Sequence, residues 1–134
     1  MKFNINILYW IAMVGLIFYY AYTKGWVLAD FKSISAKEAY HLLENDDNAT
    51  LLDVRTQREF QGGHIPNAKL IPLDLLNDNL SKLKKERGKK IIVYCLTGSR
   101  SVRASRILKA DGFTPINMSG GYVSWVKEKL PIER

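Results

Sequence analysis

Two hydrophobic patterns divide this chain. Between Lys2 and Lys24 no charged residue occurs, and Ile5 to Tyr22 reads INILYWIAMVGLIFYYAY, with Asn6 its only strongly polar side chain. A helix that packs on a soluble core keeps a polar face, and this run has none. At about 1.5 Å per residue the charge-free interval spans roughly 30 Å as a helix, the thickness of a hydrocarbon core. The pattern predicts one uncleaved membrane-spanning helix. Tyr9 and Trp10 near one end, and Phe18, Tyr19, Tyr20, Tyr22 and Trp26 at the other, read as interfacial belts. A cleaved signal peptide is the competing reading, with Lys2 as a minimal basic region, but its cleavage site calls for small residues where this segment carries rings.

After a tether, the periodicity changes to short alternating elements. Ser35 with Glu38 three residues on predicts a capped helix whose apolar face includes Ala39, Leu42 and Leu43. TLLDV (50–54) is a strand-length apolar run, and Thr56 with Glu59 repeats the cap spacing before Gly62-Gly63. HIPNA (64–68) predicts a turn, followed by a short strand over 69–71. Leu73, Leu76, Leu80 and Leu83 recur at helical spacing and Gly88 stops them. KIIVY (90–94) is the most strand-like run, followed by a helix over 101–110, a strand over 115–118, and a last helix after Gly120-Gly121 carrying Val123, Trp125 and Val126. Alternation of this kind predicts an α/β domain with a mostly parallel sheet covered on both faces. The expected organisation is an anchor over 1–24, a tether over 25–33 and one domain over 34–134.

Charge and cysteine usage refine this picture. The formal net charge is +7, with a concentration in SKLKKERGKK (81–90) and at Arg100, Arg103, Arg106 and Lys109. No aromatics interleave with these residues and no recognition motif appears, so nucleic acid is not an expected partner. The cluster over 81–90 reads first as a solvated helix end and turn, with attraction of an anchored domain to anionic lipid head groups as the alternative. Lys24, Lys32 and Lys37 outnumber Lys2 across the apolar run, which points the domain toward the cytoplasm. A single cysteine, unable to form an internal disulfide, agrees with a reducing compartment.

That cysteine, Cys95, stands directly after KIIVY, and ligands of parallel sheets bind beyond the carboxyl ends of the strands. If Leu96, Thr97, Gly98, Ser99, Arg100 and Ser101 curl between strand and helix, Gly98 lets successive N–H groups converge. The following helix aims its positive end at the same point. Thr97, Ser99 and Ser101 offer hydroxyls and Arg100 a cation. An anion cradle with sulfur at its base favours a nucleophilic thiolate and would hold a persulfide. The reading needs Sγ to be reachable and the loop amides to face it. Asp53 and Arg55 are expected to support the strand end by ion pairing, His64 to be a backbone-bonded turn residue, Tyr94 sheet core and Trp125 a packing anchor.

LLDVRTQREFQGGHIPNA (51–68), IIVYCLTGSRS (91–101), and GGYVSW with KEKLPIE (120–133) resemble, in order and separation, three signature stretches of rhodanese-homology domains. The resemblance covers about residues 34–134 and implies a rhodanese-like three-layer fold. It further implies a sulfurtransferase that needs neither metal nor organic cofactor. Such an enzyme takes sulfane sulfur from a small anionic donor such as thiosulfate, carries it as a persulfide, and passes it to cyanide or a thiol, protein thiols included. By position Cys95 is the carrier, residues 96–101 the cradle, and Arg100 a contact for the donor. Phosphatases and arsenate reductases on this fold place the arginine six positions after the cysteine. Here it comes at five, and position 101 is serine. With no second cysteine, the persulfide must be discharged to another molecule. A binding or redox-sensing module using the same cradle without turnover is the alternative.

Overall fold

The computed structural model describes residues 4–27 and 29–134. Lys2, used in the orientation reading, lies outside the described residues. The first helix, α1 (Ile5–Thr23), starts at Asn4, whose side chain accepts from the Asn6 amide. Its 19 residues span about 28 Å. It is long and apolar enough to cross a membrane, and none of its residues is buried against the rest of the chain. The burial that a core helix needs is therefore missing.

The remaining elements run β1 (Lys32–Ile34), α2 (Ala36–Asn45), β2 (Ala49–Asp53), α3 (Gln57–Gly62), β3 (Lys69–Leu70), α4 (Leu73–Leu76), a 3-10 segment (Asn77–Glu86), β4 (Lys90–Tyr94), α5 (Ser99–Ala110), β5 (Thr114–Met118) and α6 (Gly121–Lys127). Both cap spacings form reciprocal boxes: Ser35 with Glu38, and Thr56 with Glu59. The strands make one sheet in the order β1-β5-β4-β2-β3, and every pairing is parallel.

Alternation along β4 assigns its side chains to two cores. Ile91, Val93 and Cys95 join Leu52, Leu76, Leu83, Ala104 and Leu108 on the α5 side. Ile92 and Tyr94 join Ile34, Ala39, Leu51, Met118 and Trp125 on the α2 and α6 side. The result is three layers, and Cys95 belongs to the face that α5 covers.

Beyond one-residue shifts at strand ends, three features differ from the sequence expectation. Strand β1 begins at Lys32, inside the expected tether, because a three-residue edge strand with Ile34 alone facing inward carries no alternation to read. The helix expected through Leu73–Leu83 is one α-turn followed by 3-10 turns. There the Asn79 side chain donates to the Leu75 carbonyl at 2.6 Å, competing with the backbone for that acceptor. Finally, α5 starts at Ser99 rather than Ser101, since Gly98 serves as its N-cap at φ 115°, a conformation open to glycine.

Candidate active site

The cradle is built where β4 ends. Parallel pairing sets Tyr94 beside Asp53 of β2, so the C-terminal ends of the two central strands lie together. Leu96, Thr97 and Gly98 turn the chain, and α5 leaves from Ser99. The Gly98 amide donates to Cys95 Sγ at 3.0 Å. The Cys95 thiol donates to Ser101 Oγ at 3.5 Å, and that hydroxyl donates to the Gly98 carbonyl at 3.2 Å. Sulfur therefore sits inside the first turn of α5, with one loop amide bonded to it.

Two parts of the sequence expectation need correction. Cys95 is 1% exposed, so Sγ is not open to solvent in this conformation. Arg100 is not a free cation either: its guanidinium forms a bidentate pair with Glu59, at 2.6 and 2.9 Å. The same Glu59 oxygen accepts from the Thr56 amide at 3.1 Å, so the capping box of α3 also grips the loop arginine. Arg100's hydrogen bonds hold the Glu59 carboxyl at about 2, against the opposing effect of burial. The Glu59 carboxylate in turn raises the Arg100 pKa further. Spacing within one motif gives no sign of a partner 41 residues away, which is why the sequence reading left Arg100 unpaired.

Asp53 and Arg55 form a buried fork beneath the loop. Both carboxylate oxygens accept from Arg55, at 2.8 to 3.1 Å, and the Arg55 amide also donates to Asp53, at 2.9 Å. Arg55 donates further to the Gly63 carbonyl at 2.6 Å and lies 4.4 Å from the Tyr122 ring. Burial works against the guanidinium charge, but Asp53 outweighs it and raises the Arg55 pKa. Tyr94, fully buried, accepts from the Ile65 amide at 3.1 Å. Burial and the nearby Asp53 charge push its phenol well above the ordinary tyrosine range.

His64 stands apart from the sulfur's hydrogen-bond partners. Its ring stacks on Phe60 at 3.7 Å, Nδ1 lies 2.9 Å from the Phe60 carbonyl, and its backbone pairs with Glu133. Trp125 is buried, and its indole donates to the Pro131 carbonyl at 2.7 Å.

The sequence reading assigned no role to Gly120-Gly121, which close the loop from above. The amides of Tyr122 and Val123 donate to the Cys95 and Leu96 carbonyls at 2.8 and 3.1 Å. A Cβ at Gly121 would collide with both carbonyls, and its φ of 59° favours glycine as well. Two adjacent glycines opening a helix were the available signal.

The rhodanese-like domain family matches residues 35–128, which includes the Cys95 loop, Asp53, Arg55, Glu59, His64, Trp125 and Gly120-Gly121. The chain belongs to the rhodanese family. A sulfurtransferase of Allochromatium vinosum is 31% identical over 100 residues, covering 74% of this chain and 92% of that protein. Thiosulfate sulfurtransferase 18 of Arabidopsis thaliana is 33% identical over 113 residues, covering 75% and 82%. The crystal structure of a rhodanese-related protein from Thermoplasma volcanium superposes with a TM-score of 0.70 at 33% identity, covering 77% of this chain and 98% of that one. Of two other curated relatives the chain spans only 26% of the length. Family membership with sulfurtransferase relatives supports sulfur transfer as the general activity of this rhodanese domain.

Two outcomes follow for the charged supports. Asp53→Asn leaves Arg55 buried without its counter-charge and is expected to cost about 3–5 kcal/mol, read as a lowered midpoint of chemical unfolding. The Glu59 pairing stabilises the fold fully above the ordinary carboxyl value of 4.5 and is lost as pH falls toward 2. Unfolding curves across that window should therefore converge: wild type loses stability to acid faster than Glu59→Gln. Parallel curves would mean that the pair contributes nothing.

Proposed function

We propose that this rhodanese is a membrane-anchored sulfurtransferase that carries sulfane sulfur as a persulfide on Cys95. The observation that carries the reading is the Gly98 amide at 3.0 Å from Sγ, at the start of α5. A backbone donor and the N-terminal end of a twelve-residue helix meet at that sulfur, where the anion of the carrier state would form. Leu96 to Ser101 form the binding loop, with Asp53, Arg55 and His64 as structural support.

In the first half-reaction the Cys95 thiolate attacks the outer sulfur of an anionic donor such as thiosulfate. The donor S–S bond breaks, sulfite leaves with the electron pair, and Cys95 keeps the transferred sulfur as a persulfide anion. In the second, cyanide or an external thiolate attacks the terminal sulfur and the Cys95 thiolate is regenerated. Because Cys95 is 1% exposed, the loop opens before donor can reach it. Arg100 binds the donor only by sharing or leaving Glu59, so the free positive charge available to a dianion is smaller than the bare motif suggests.

The helix Ile5–Thr23 acts as the single-pass anchor over residues 1–24, and residues 25–33 lead into the domain over 34–134. The excess of lysine after the apolar run supports cytoplasmic exposure. The burial of Cys95 favours a second reading, a non-turnover binding or redox-sensing module, and one measurement separates the two.

Incubating the full chain in detergent with thiosulfate should add about 32 Da, one sulfur, to wild type and nothing to Cys95→Ser. Cyanide should then remove the adduct. An adduct that forms but is not discharged to cyanide or any thiol would favour the sensing module, and no adduct with any sulfane donor would reject the carrier role. Gly121→Ala, which displaces the Cys95 and Leu96 carbonyls, should slow adduct formation at least about tenfold while Cys95 remains present.

A further inference from the structure

The first turn of α5 holds the sulfur, and one residue of that turn is buried outside both cores. Val102 is 0% exposed yet belongs to neither hydrophobic cluster. It follows Ser101, whose hydroxyl accepts from the Cys95 thiol. What lies against Val102 is the residue just after α1: a Cβ at Gly25 would come within 3.0 Å of Val102 Cγ2 and 3.8 Å of Phe31 Cζ. Arg106, four residues further along α5, shares that face. Its guanidinium lies 3.7 Å from the Tyr22 ring, and Nη2 donates to the Tyr22 and Val27 carbonyls at 2.9 and 3.4 Å. One arginine thus grips the chain on both sides of Gly25.

The gripped segment has a defined shape of its own. The amides of Gly25 and Trp26 donate to the Tyr22 and Ala21 carbonyls at 3.1 and 2.9 Å, and Gly25 has φ 76°. This is a Schellman ending, completed by the Trp26 ring against Tyr20 at 5.6 Å. The last turn of α1 carries no basic side chain, so Arg106 supplies from α5 the cation that the negative end of a helix favours. Removing the guanidinium would free the segment to lift from Val102.

The cysteine loop is already restrained on two other sides. Arg100 ties the first turn of α5 to Glu59, and the Tyr122 and Val123 amides hold the Cys95 and Leu96 carbonyls. We propose that Arg106 and Gly25 are positioning residues: by docking the end of α1 on α5, they hold Ser101 and the Gly98 amide against Sγ and set how often the loop opens. The inference goes beyond sulfur transfer, because it needs only the covered sulfur.

Cys95 is the only cysteine, so its alkylation by iodoacetamide in the folded full chain, in detergent, reads opening of the loop. Gly25→Ala brings a Cβ onto Val102 at a positive φ, and Arg106→Gln removes the grip. Each should raise the alkylation rate about tenfold or more, with little dependence on urea below the unfolding transition, as local opening requires. Arg106→Lys, which keeps the charge, should fall between Arg106→Gln and wild type. Arg103→Gln, at an exposed position of the same helix, should match wild type. If Arg106→Gln fails to fold, Val102→Ala carries the test with the same expected direction. Rates equal to wild type, or rates that rise only in step with global unfolding across the urea series, overturn the proposal. Alkylation needs no sulfur donor, so a missing thiosulfate adduct would reject the carrier reading and leave this result standing.

Discussion

A carboxylate and a guanidinium removed from water stay charged only if nearly every donor and acceptor they carry is engaged. Asp53 meets that condition with both carboxylate oxygens, and Arg55 engages Nε and Nη2, reaching groups from distant parts of the chain. The fork reaches the Gly63 carbonyl just before the HIPNA turn and lies under the Tyr122 ring of α6. Tyr94 precedes the cysteine, and its phenol holds Ile65 of that same turn. All three sequence blocks that mark the rhodanese family thus converge on one buried pair. The loop carrying Cys95 is positioned by what lies beneath it as much as by its own residues.

This explains what could and could not be read in advance. Elements with local causes were legible: capping boxes at Ser35 and Thr56, the apolar β4 run, and the strand-end address of Cys95 all depend on neighbours a few residues away. Features arising from long-range closure were not. The Glu59 grip on Arg100 joins α3 to α5, and the α6 amides cap carbonyls of the cysteine loop. Strand β1 was missed because pairing with β5, and no pattern of its own, makes it a strand. The break after Leu76 was hidden because leucines three and four apart suit α and 3-10 turns alike.

In the proposed carrier reaction, the burial of Cys95 and the capture of Arg100 act together. A loop with an exposed sulfur and an idle arginine would attract any small oxyanion. Here the arginine is held by two hydrogen bonds and the sulfur lies under the loop, so a ligand must replace interactions as it binds. Selectivity then depends on how much of the opening cost a ligand recovers. The short spacing from Cys95 to Arg100 works in the same direction, because a tighter ring leaves less room for a tetrahedral oxyanion around the sulfur.

Parallel strand direction connects these observations to the first helix. Once every strand runs the same way, helix N-termini and the Cys95 sulfur collect at one end of the sheet, while helix C-termini, which favour lysine and arginine, collect at the other. The lysines of the 3-10 segment and of α5 therefore have a local electrostatic reason to stand where they do. Strand β1 is entered at that same end, because an N-terminal strand of a parallel sheet is entered where its neighbours start. The separation of the strand-start end, where these lysines stand, from the end that bears the Cys95 sulfur follows from topology.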